Sequence, residues 1–288
     1  MKLTFLGTGT SHGIPVIACD CPVCQSSDEH DKRLRTSVLI SDKDTNILID
    51  CGPEFRIQAL KLNIKKIDSV LLTHSHADHL HGIDDLRVFA CLRSKDDPKK
   101  MTMEPLNIYA NSSTIKDFKF RFDYLFKPVL QGGGRALVKL NNTSKYSLRN
   151  PLKIGSMKIF PVPMLHGTLK TNGYVVRKGK KNFVYLTDVS KMPGRSIKLL
   201  QSIGKIDHLV IDGLRIRPHS THFSFAEALE VADKINARHT WLTHLCHETS
   251  HQDCINWINE HISDYPALEK TQKKGGTVSP AFDGLILE

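Results

Sequence analysis

The sequence predicts an α/β fold in one domain of 288 residues. Short runs of apolar and β-branched residues alternate along the chain with segments of helical periodicity, which is the pattern of an α/β protein. Hydrophobic residues make up 40% of the chain and charged residues 24%, as in a globular protein that buries a substantial core. The chain shows no repeat and no linker-like change of composition. We therefore predict a single domain over residues 1–288.

The predicted strands are short apolar runs, and the predicted helices are longer segments whose apolar residues recur every three or four positions. The strands are 2–6, 37–40, 46–49, 69–72, 106–109, 157–162, 174–177, 183–186, 208–211 and 240–243. The helices are 54–62, 84–92, 112–126, 197–203, 224–235 and 252–261. Ser224 and Glu227 have the spacing of a capping box at the start of the fifth helix. Loops are predicted at 132–134 and 141–151, and a mobile tail at 270–276 before a last short strand near 284–287.

Charge and hydropathy limit the classes of partner. The net charge of +10 is compatible with nucleic acid, an anionic membrane surface or a phosphate-bearing substrate. The lysines and arginines are spread along the chain without interleaved aromatics, so nucleic acid is not favoured as a partner. No apolar run reaches the roughly 18 residues of a membrane span, and the apolar stretch after Met1 is too short for a secretory signal. We expect a cytoplasmic protein that does not enter a membrane.

One short segment concentrates metal-binding side chains directly after the predicted strand 69–72. It reads H-x-H-x-D-H, with His74, His76, Asp78 and His79. Alternate histidines on an extended loop point to one side, and an aspartate and histidine that begin the next helix can face a second ion. Imidazole and carboxylate ligands without thiolate suit Zn²⁺, Mn²⁺ or Fe²⁺. The segment therefore predicts a metal centre with two ions.

Four ligands cannot complete two metal sites, so other parts of the chain must supply more. His166, Asp188 and His244 each lie just past the end of a predicted strand. Such residues usually have a structural role when they occur singly. Three of them in the same context, beside H-x-H-x-D-H, favour ligands that converge on one rim of a sheet.

Three of the seven cysteines fall within one short loop, as Cys19, Cys21 and Cys24 in C-x-C-x-x-C. The other cysteines are scattered, and a chain of this size does not need disulfides for stability. The three thiolates are one ligand short of a closed tetrahedral zinc site. Cys246 and His247 are both candidates for the fourth ligand.

Taken together, these motifs resemble the metallo-β-lactamase superfamily over nearly the whole chain. The resemblance rests on G-T-G-T at 7–10, L-I-D-C-G at 48–52, H-x-H-x-D-H, His166, Asp188 and His244, in the expected order. It implies an αββα sandwich with a dinuclear metal site that binds Zn or Mn. In the family's pattern one ion is held by His74, His76, His166 and Asp188. The other ion is held by Asp78, His79, Asp188 and His244, and Asp50 orients a ligand imidazole. Histidine at 76, where the diiron redox members have glutamate, favours hydrolysis.

The cysteine loop makes the chain similar to PhnP-type cyclic phosphodiesterases within that superfamily. In that group C-x-C-x-x-C and a histidine hold a structural zinc, which implies that His247 rather than Cys246 is the fourth ligand at the loop 19–24. The same group places a histidine that is not a ligand before the helix that starts at Ser224. His222 fits this position, where it would donate a proton to the leaving oxygen or bind the phosphate, with His219 as its rival. His12 and His81 are expected to line the site or to be structural.

The resemblance implies a metal-dependent phosphodiesterase that cleaves a small cyclic or nucleotide-like phosphate. Its reaction would depend on Asp78 and Asp188 at the metals and on His222 at the leaving group. The alternatives are an RNA-processing nuclease like tRNase Z, or a thioester or lactone hydrolase. A zinc-binding protein without catalytic activity is a further alternative, which the complete ligand set argues against. A homodimer is an expectation by analogy with the superfamily.

Overall fold

Two seven-stranded β-sheets face each other at the centre of the protein. This computed structural model describes residues 1–93, 101–128 and 134–288. Within those ranges the strands are β1 (Lys2–Gly7), β2 (Ser37–Asp42), β3 (Thr45–Ile49), β4 (Ser69–Leu71), β5 (Cys91–Arg93), β6 (Met101–Met103), β7 (Leu106–Ala110), β8 (Val138–Asn142), β9 (Leu152–Ile154), β10 (Met157–His166), β11 (Leu169–Lys178), β12 (Lys181–Leu186), β13 (His208–Asp212), β14 (His239–Thr243), β15 (Thr277–Pro280) and β16 (Ile286–Leu287). The helices are α1 (Phe55–Lys61), α2 (Ala77–Leu80), α3 (Ser112–Arg121), α4 (Gly194–Ser202), α5 (Phe225–Ile235), α6 (His251–His261) and α7 (Pro266–Lys273).

The first sheet has the strand order β16-β1-β2-β3-β4-β7-β8. Among β16, β1, β2 and β3 each strand is antiparallel to its neighbour, whereas β3, β4, β7 and β8 run parallel. The run Ile47–Ile49 is fully buried because both faces of this sheet are covered. Ile47 and Ile49 face the opposite sheet, and Leu48 between them faces the helices.

The second sheet has the order β15-β14-β13-β12-β11-β10-β9. Strands β12, β13, β14 and β15 are parallel, while β10 and β11 form a long antiparallel hairpin. Since β11 is antiparallel to both β10 and β12, the carboxyl ends of β10, β12, β13 and β14 lie at one edge of this sheet. Side chains that follow these strands therefore meet.

Three apolar layers hold the two sheets and the helices together. The central layer lies between the sheets and includes Phe5, Tyr174 and Tyr185. Helices α4 to α7 pack on the outer face of the second sheet, and α1 and α3 pack on that of the first. This is the αββα sandwich that the sequence implied.

Several predicted elements differ from the observed ones. The predicted helix 84–92 is a 3₁₀ helix over Ile83–Phe89 followed by β5, and α3 ends at Arg121 before a 3₁₀ turn. The predicted loop 141–151 begins with the end of β8 and a 3₁₀ turn. Residues 132 and 133 of another predicted loop lie outside the described ranges. The capping box of Ser224 and Glu227 is present at the start of α5.

The prediction of a mobile tail at 270–276 is wrong. Helix α7 extends into this region as far as Lys273, and strand β15 begins directly after the region at Thr277. Leu268 is fully buried against the core, and the Asp233 carboxylate accepts hydrogen bonds from the backbone of Ala267 and Leu268. The segment itself is polar, and the leucine that anchors its helix, Leu268, lies just before it.

No helix in the described ranges is long and apolar enough to cross a membrane.

Candidate metal centre

The predicted ligands converge at the edge where the parallel strands of both sheets end. His166 is the last residue of β10, Asp188 follows β12, and His244 follows β14. From the first sheet, the segment after β4 brings His74 to the same edge, and β3 brings Asp50. The αββα fold thus joins residues that are far apart in the sequence.

Three of these strand-end residues have an uncommon backbone conformation. Asp50, Asp188 and His244 have φ angles of 63°, 56° and 62°. Residues other than glycine seldom adopt this left-handed region, and such strain is concentrated at functional sites. The backbone turns sharply at each strand end and so directs these side chains to the edge of the sheets.

Seven of the predicted ligands form two groups of four that share the Asp188 carboxylate. One ligand atom from each of His74, His76, His166 and Asp188 lies within 4.8 Å of the others, and the same holds for Asp78, His79, Asp188 and His244. The Asp188 Oδ1 atom is 3.8 Å from His74 Nε2 and 3.5 Å from His244 Nε2, and its Oδ2 atom is 3.1 Å from His79 Nε2. The two groups consist of the same residues as the two ligand sets that the family resemblance implied.

The polar atoms that face the centre fit divalent metal ions. Among the described residues, the buried Nε2 atoms of His74, His79 and His244 have no hydrogen-bond partner. Unpaired buried polar atoms are costly unless a ligand or ion satisfies them. Imidazole nitrogen and carboxylate oxygen are also the donor set that Zn²⁺ and Mn²⁺ accept.

Asp50 lies behind the centre and orients two of the imidazoles. Its carboxylate accepts hydrogen bonds of 2.8 Å from the backbone N and the hydroxyl of Thr73 and from His79 Nδ1. The Thr73 hydroxyl is also 3.0 Å from His74 Nδ1. Both histidines therefore present Nε2 to the centre, which is how hydrogen bonds fix a metal-binding tautomer. Complete burial raises the pKa of Asp50, although His79 and Thr73 oppose this shift.

Burial and charge act in opposite directions on the ligands. Burial lowers the pKa of His74 well below its usual value and also lowers that of His76 and His166. Burial disfavours the charged form of Asp188, but His244 and His79 outweigh it and hold the Asp188 pKa well below its usual value. At His74, His76 and His166 burial favours the neutral imidazole that binds metals. Burial acts in the same direction on His79, but the carboxylates of Asp188, Asp78 and Asp50 outweigh it and raise the pKa of His79 well above its usual value.

Gly52 sets the position of helix α2, which carries Asp78. A Cβ atom on Gly52 would lie only 2.1 Å from the backbone carbonyl oxygen of Asp78. This contact explains the glycine of the L-I-D-C-G motif, since no other residue allows so close an approach of the two backbones.

His222 lies beside both ligand groups and is paired with a carboxylate that the sequence analysis missed. Its Nδ1 atom is 2.8 Å from Asp212 Oδ2, and its ring stacks on that of His244 at 4.6 Å. Burial lowers the pKa of His222, but Asp212 outweighs burial and raises it to about 9. Metal ions bound to the neighbouring residues would lower the pKa of His222 again. Asp212 is the last residue of β13, and Asp188 and His244 follow β12 and β14. Its position at the end of a strand could therefore have identified Asp212 in the sequence as a candidate site residue.

His219 differs from its rival His222 in what it contacts. Its Nδ1 atom is 3.2 Å from the hydroxyl of its neighbour Thr221, and its ring lies 5.3 Å from that of His222. His12 and His81 are exposed and belong to neither ligand group in the described residues.

The cysteine loop meets His247 rather than Cys246. The sulfur atoms of Cys19, Cys21 and Cys24 lie 3.3, 3.4 and 3.4 Å from His247 Nδ1. Around a tetrahedral zinc ion, sulfur and nitrogen ligands are about 3.5 Å apart. A hydrogen bond from the Cys24 backbone lowers the pKa of Cys21 to about 6, which favours the thiolate that binds metals.

Three comparisons relate this chain to known proteins. Residues 45–245 match the family model of a beta-lactamase superfamily domain. The crystal structure of a diphosphatase from the PhnP family has a TM-score of 0.77 and 36% identity, and the match covers 100% of this chain and 97% of that one.

Two curated relatives carry other names. A Porphyromonas gingivalis protein named octanoyltransferase is 35% identical over 273 residues, which cover 93% of this chain and 51% of that protein. Ribonuclease Z of Methanococcus maripaludis is 26% identical over 197 residues, which cover 67% of this chain and 53% of that protein. The chain thus spans about half the length of these two relatives.

Proposed function

We propose that this chain, which belongs to the metallo-β-lactamase superfamily of hydrolases, cleaves a small cyclic or nucleotide-like phosphodiester. The observation that carries the proposal is the pair of ligand groups sharing Asp188, with the His222–Asp212 pair beside them. His76 is exposed, whereas the other ligands are buried, so the centre is open to a substrate on the His76 side.

The proposal assigns the ligands as two sets. His74, His76, His166 and Asp188 would hold one divalent ion, and Asp78, His79, Asp188 and His244 would hold the other. Two such ions, Zn²⁺ or Mn²⁺, would supply Lewis-acid stabilisation of phosphate oxygens and lower the pKa of water. Cys19, Cys21, Cys24 and His247 would bind a zinc ion that holds the loop 19–24 to the catalytic edge.

The side chains of this protein supply the remaining functions. Asp50 and Thr73 keep His79 and His74 in the tautomer that presents Nε2. His222 donates a proton from Nε2 to the leaving oxygen, because its Nδ1 is committed to Asp212. Asp212 is a positioning residue that holds the imidazole and stabilises its protonated form.

A phosphoric anhydride is the second candidate substrate. It is favoured by the 36% identity, over the whole chain, to a protein described as a diphosphatase. The same ligands and His222 would serve this reaction, since the leaving group is again a phosphate-bound oxygen.

An RNA substrate is a third candidate, which the ribonuclease Z relatives support. The described segment between Asp188 and His244 contains α4, β13 and α5 without an inserted arm that could hold RNA. The chain geometry therefore favours a small substrate over RNA.

The test is turnover by protein loaded with Mn²⁺ or Zn²⁺ and followed by phosphorus NMR. The substrates are ribose 1,2-cyclic phosphate 5-phosphate, 2′,3′-cyclic nucleotides, a nucleoside diphosphate and a precursor tRNA, with Asp78→Ala as the blank. Ring opening by the wild type alone supports the phosphodiesterase. Cleavage of only the diphosphate would replace the phosphodiesterase by a diphosphatase, and cleavage of only the tRNA would replace it by a ribonuclease. Inactivity on all four substrates with metals bound would favour thioesters or lactones.

A further inference from the structure

A second cavity opens at the edge of the second sheet opposite the metal centre. It has a volume of about 650 Å³ and is formed by the β11–β12 turn and by the starts of β13 and β14. Strands β12, β13 and β14 run from this edge to the metal centre, and their five or six residues place the two sites about 15 to 20 Å apart. We call it the distal cavity.

Cationic side chains dominate the wall of the distal cavity. It is lined by Arg177, Lys180, Lys181, Lys205 and Arg238, against the two acids Asp207 and Glu288. Lys205 is paired with Asp207 at 3.1 Å. In the parts of the chain that the structure describes, none of the other four cations has a carboxylate partner within 4 Å. The cavity therefore carries an excess of positive charge.

Arg177 is held in place without being neutralised. Its Nε atom donates to Asn182 Oδ1 at 2.7 Å, and its Nη2 atom donates to the backbone carbonyl of Ile203 at 3.1 Å. Both acceptors are uncharged, so they orient the guanidinium and leave its charge available. A fixed planar guanidinium is well suited to phosphate, which it contacts with two parallel hydrogen bonds.

Two stacked histidines complete one side of the cavity. The rings of His208 and His239 lie 4.8 Å apart, and His208 is buried. His208 Nδ1 accepts a hydrogen bond from Trp241 Nε1, which requires a neutral ring. The two rings therefore form a flat wall beside the cations. The positive charge of the cavity comes from the lysines and arginines.

We propose that the distal cavity binds a small anion with two or more phosphate groups, separate from the substrate of the metal centre. Its volume lies within the range of small-molecule sites. The four cations without a carboxylate partner match a ligand of high negative charge better than a single carboxylate. The inference does not depend on the reaction proposed above.

The test is calorimetric titration of the holoenzyme with fructose 1,6-bisphosphate, a probe that contains no phosphodiester. We expect the double variant Lys181→Gln/Arg238→Gln to bind at least tenfold more weakly than the wild type. The matched control is Lys153→Gln/Lys158→Gln. It removes two exposed cations that lie opposite each other on β9 and β10 of the same sheet. This control should keep the wild-type affinity.

Hydrogen–deuterium exchange locates the probe in the same samples. Protection of residues 177–182 and 236–240 on binding is the expected result. No binding by the wild type, an equal loss in the control variant, or protection confined to 74–79 and 166 would overturn the proposal. Binding at the distal cavity by a protein that cleaves none of the four test substrates would support this inference while contradicting the proposed function.

Discussion

The two histidines before α5 differ at the residue scale in their hydrogen bonds. His222 is bonded to the buried Asp212 carboxylate, whereas His219 contacts only Thr221 through its Nδ1 atom. We expect His222→Gln to lower kcat by about a hundredfold or more, because it removes the proposed proton donor. His219→Gln should leave kcat near the wild-type value. Steady-state kinetics with metal analysis of both variants checks this, and an equal loss in both would contradict the assignment.

Asp188 belongs to both ligand groups, so its removal should affect both metal ions. We expect Asp188→Ala to lose both catalytic metal equivalents and hydrolysis, while the zinc ion proposed for the cysteine loop remains. Elemental analysis of the purified variant measures this directly. Asp264→Ala removes an exposed carboxylate and should bind as many ions as the wild type. Full activity of Asp188→Ala would refute the dinuclear assignment.

At the scale of elements, the turn after β3 and helix α2 are in backbone contact through Gly52. An added methyl group would lie 2.1 Å from the Asp78 carbonyl oxygen, so Gly52→Ala must displace helix α2, which carries Asp78 and His79. We expect a lower Tm and weaker binding of at least one catalytic metal ion. Gly194→Ala, at a position with nothing within 4 Å of the new methyl group, is the control and should change neither quantity. Calorimetry and metal titration make the measurement.

The loop 19–24 is joined to the segment after β14 by the cysteine and His247 contacts. We expect Cys21→Ala to lose one zinc ion and to lower Tm, with the catalytic metals partly retained. His247→Ala should lose the same ion, whereas Cys246→Ala should keep it, since the cluster contains His247 and not Cys246. Zinc stoichiometry that is unchanged in Cys21→Ala would remove the structural site from the assignment.

The elements that bear the site were predictable to different degrees. The strands before Asp188 and His244 could be predicted because their apolar β-branched runs end abruptly at a polar residue. Strand β8 could not, since Val138–Asn142 contains one strongly apolar pair among lysine and asparagines and depends on pairing with β7. Asp212 was missed because its only signal was its position at the end of a strand, and its partner His222 lies in the loop before α5. Tertiary contacts of this kind have no local pattern.

On the scale of the whole molecule, buried neutral histidines make stability depend on pH. Burial lowers the pKa of His208 to about 4, and His239 and Lys181 add to the effect. The unfolded chain takes up this proton near pH 6.5, so the free energy of unfolding is highest above that pH and falls as the pH drops toward 4. We expect a loss of about 1 to 2 kcal/mol from this residue after allowance for solvent screening.

Chemical denaturation at several pH values measures this dependence. His208→Gln can still accept the Trp241 hydrogen bond but does not titrate, so its stability should vary less between pH 6.5 and 4. His12→Gln changes an exposed histidine and should retain the wild-type slope. A slope that is the same in all three proteins would contradict the assignment to His208.

The left-handed conformations of Asp50, Asp188 and His244 have a consequence for any effort to engineer this protein. At such positions glycine or asparagine adopts the backbone conformation with less strain than histidine or aspartate. A library selected for thermal stability alone would therefore enrich those residues. The selected variants would be more stable but inactive. Selection on this chain has to reward turnover and robustness together, because at these three positions the two demands oppose each other.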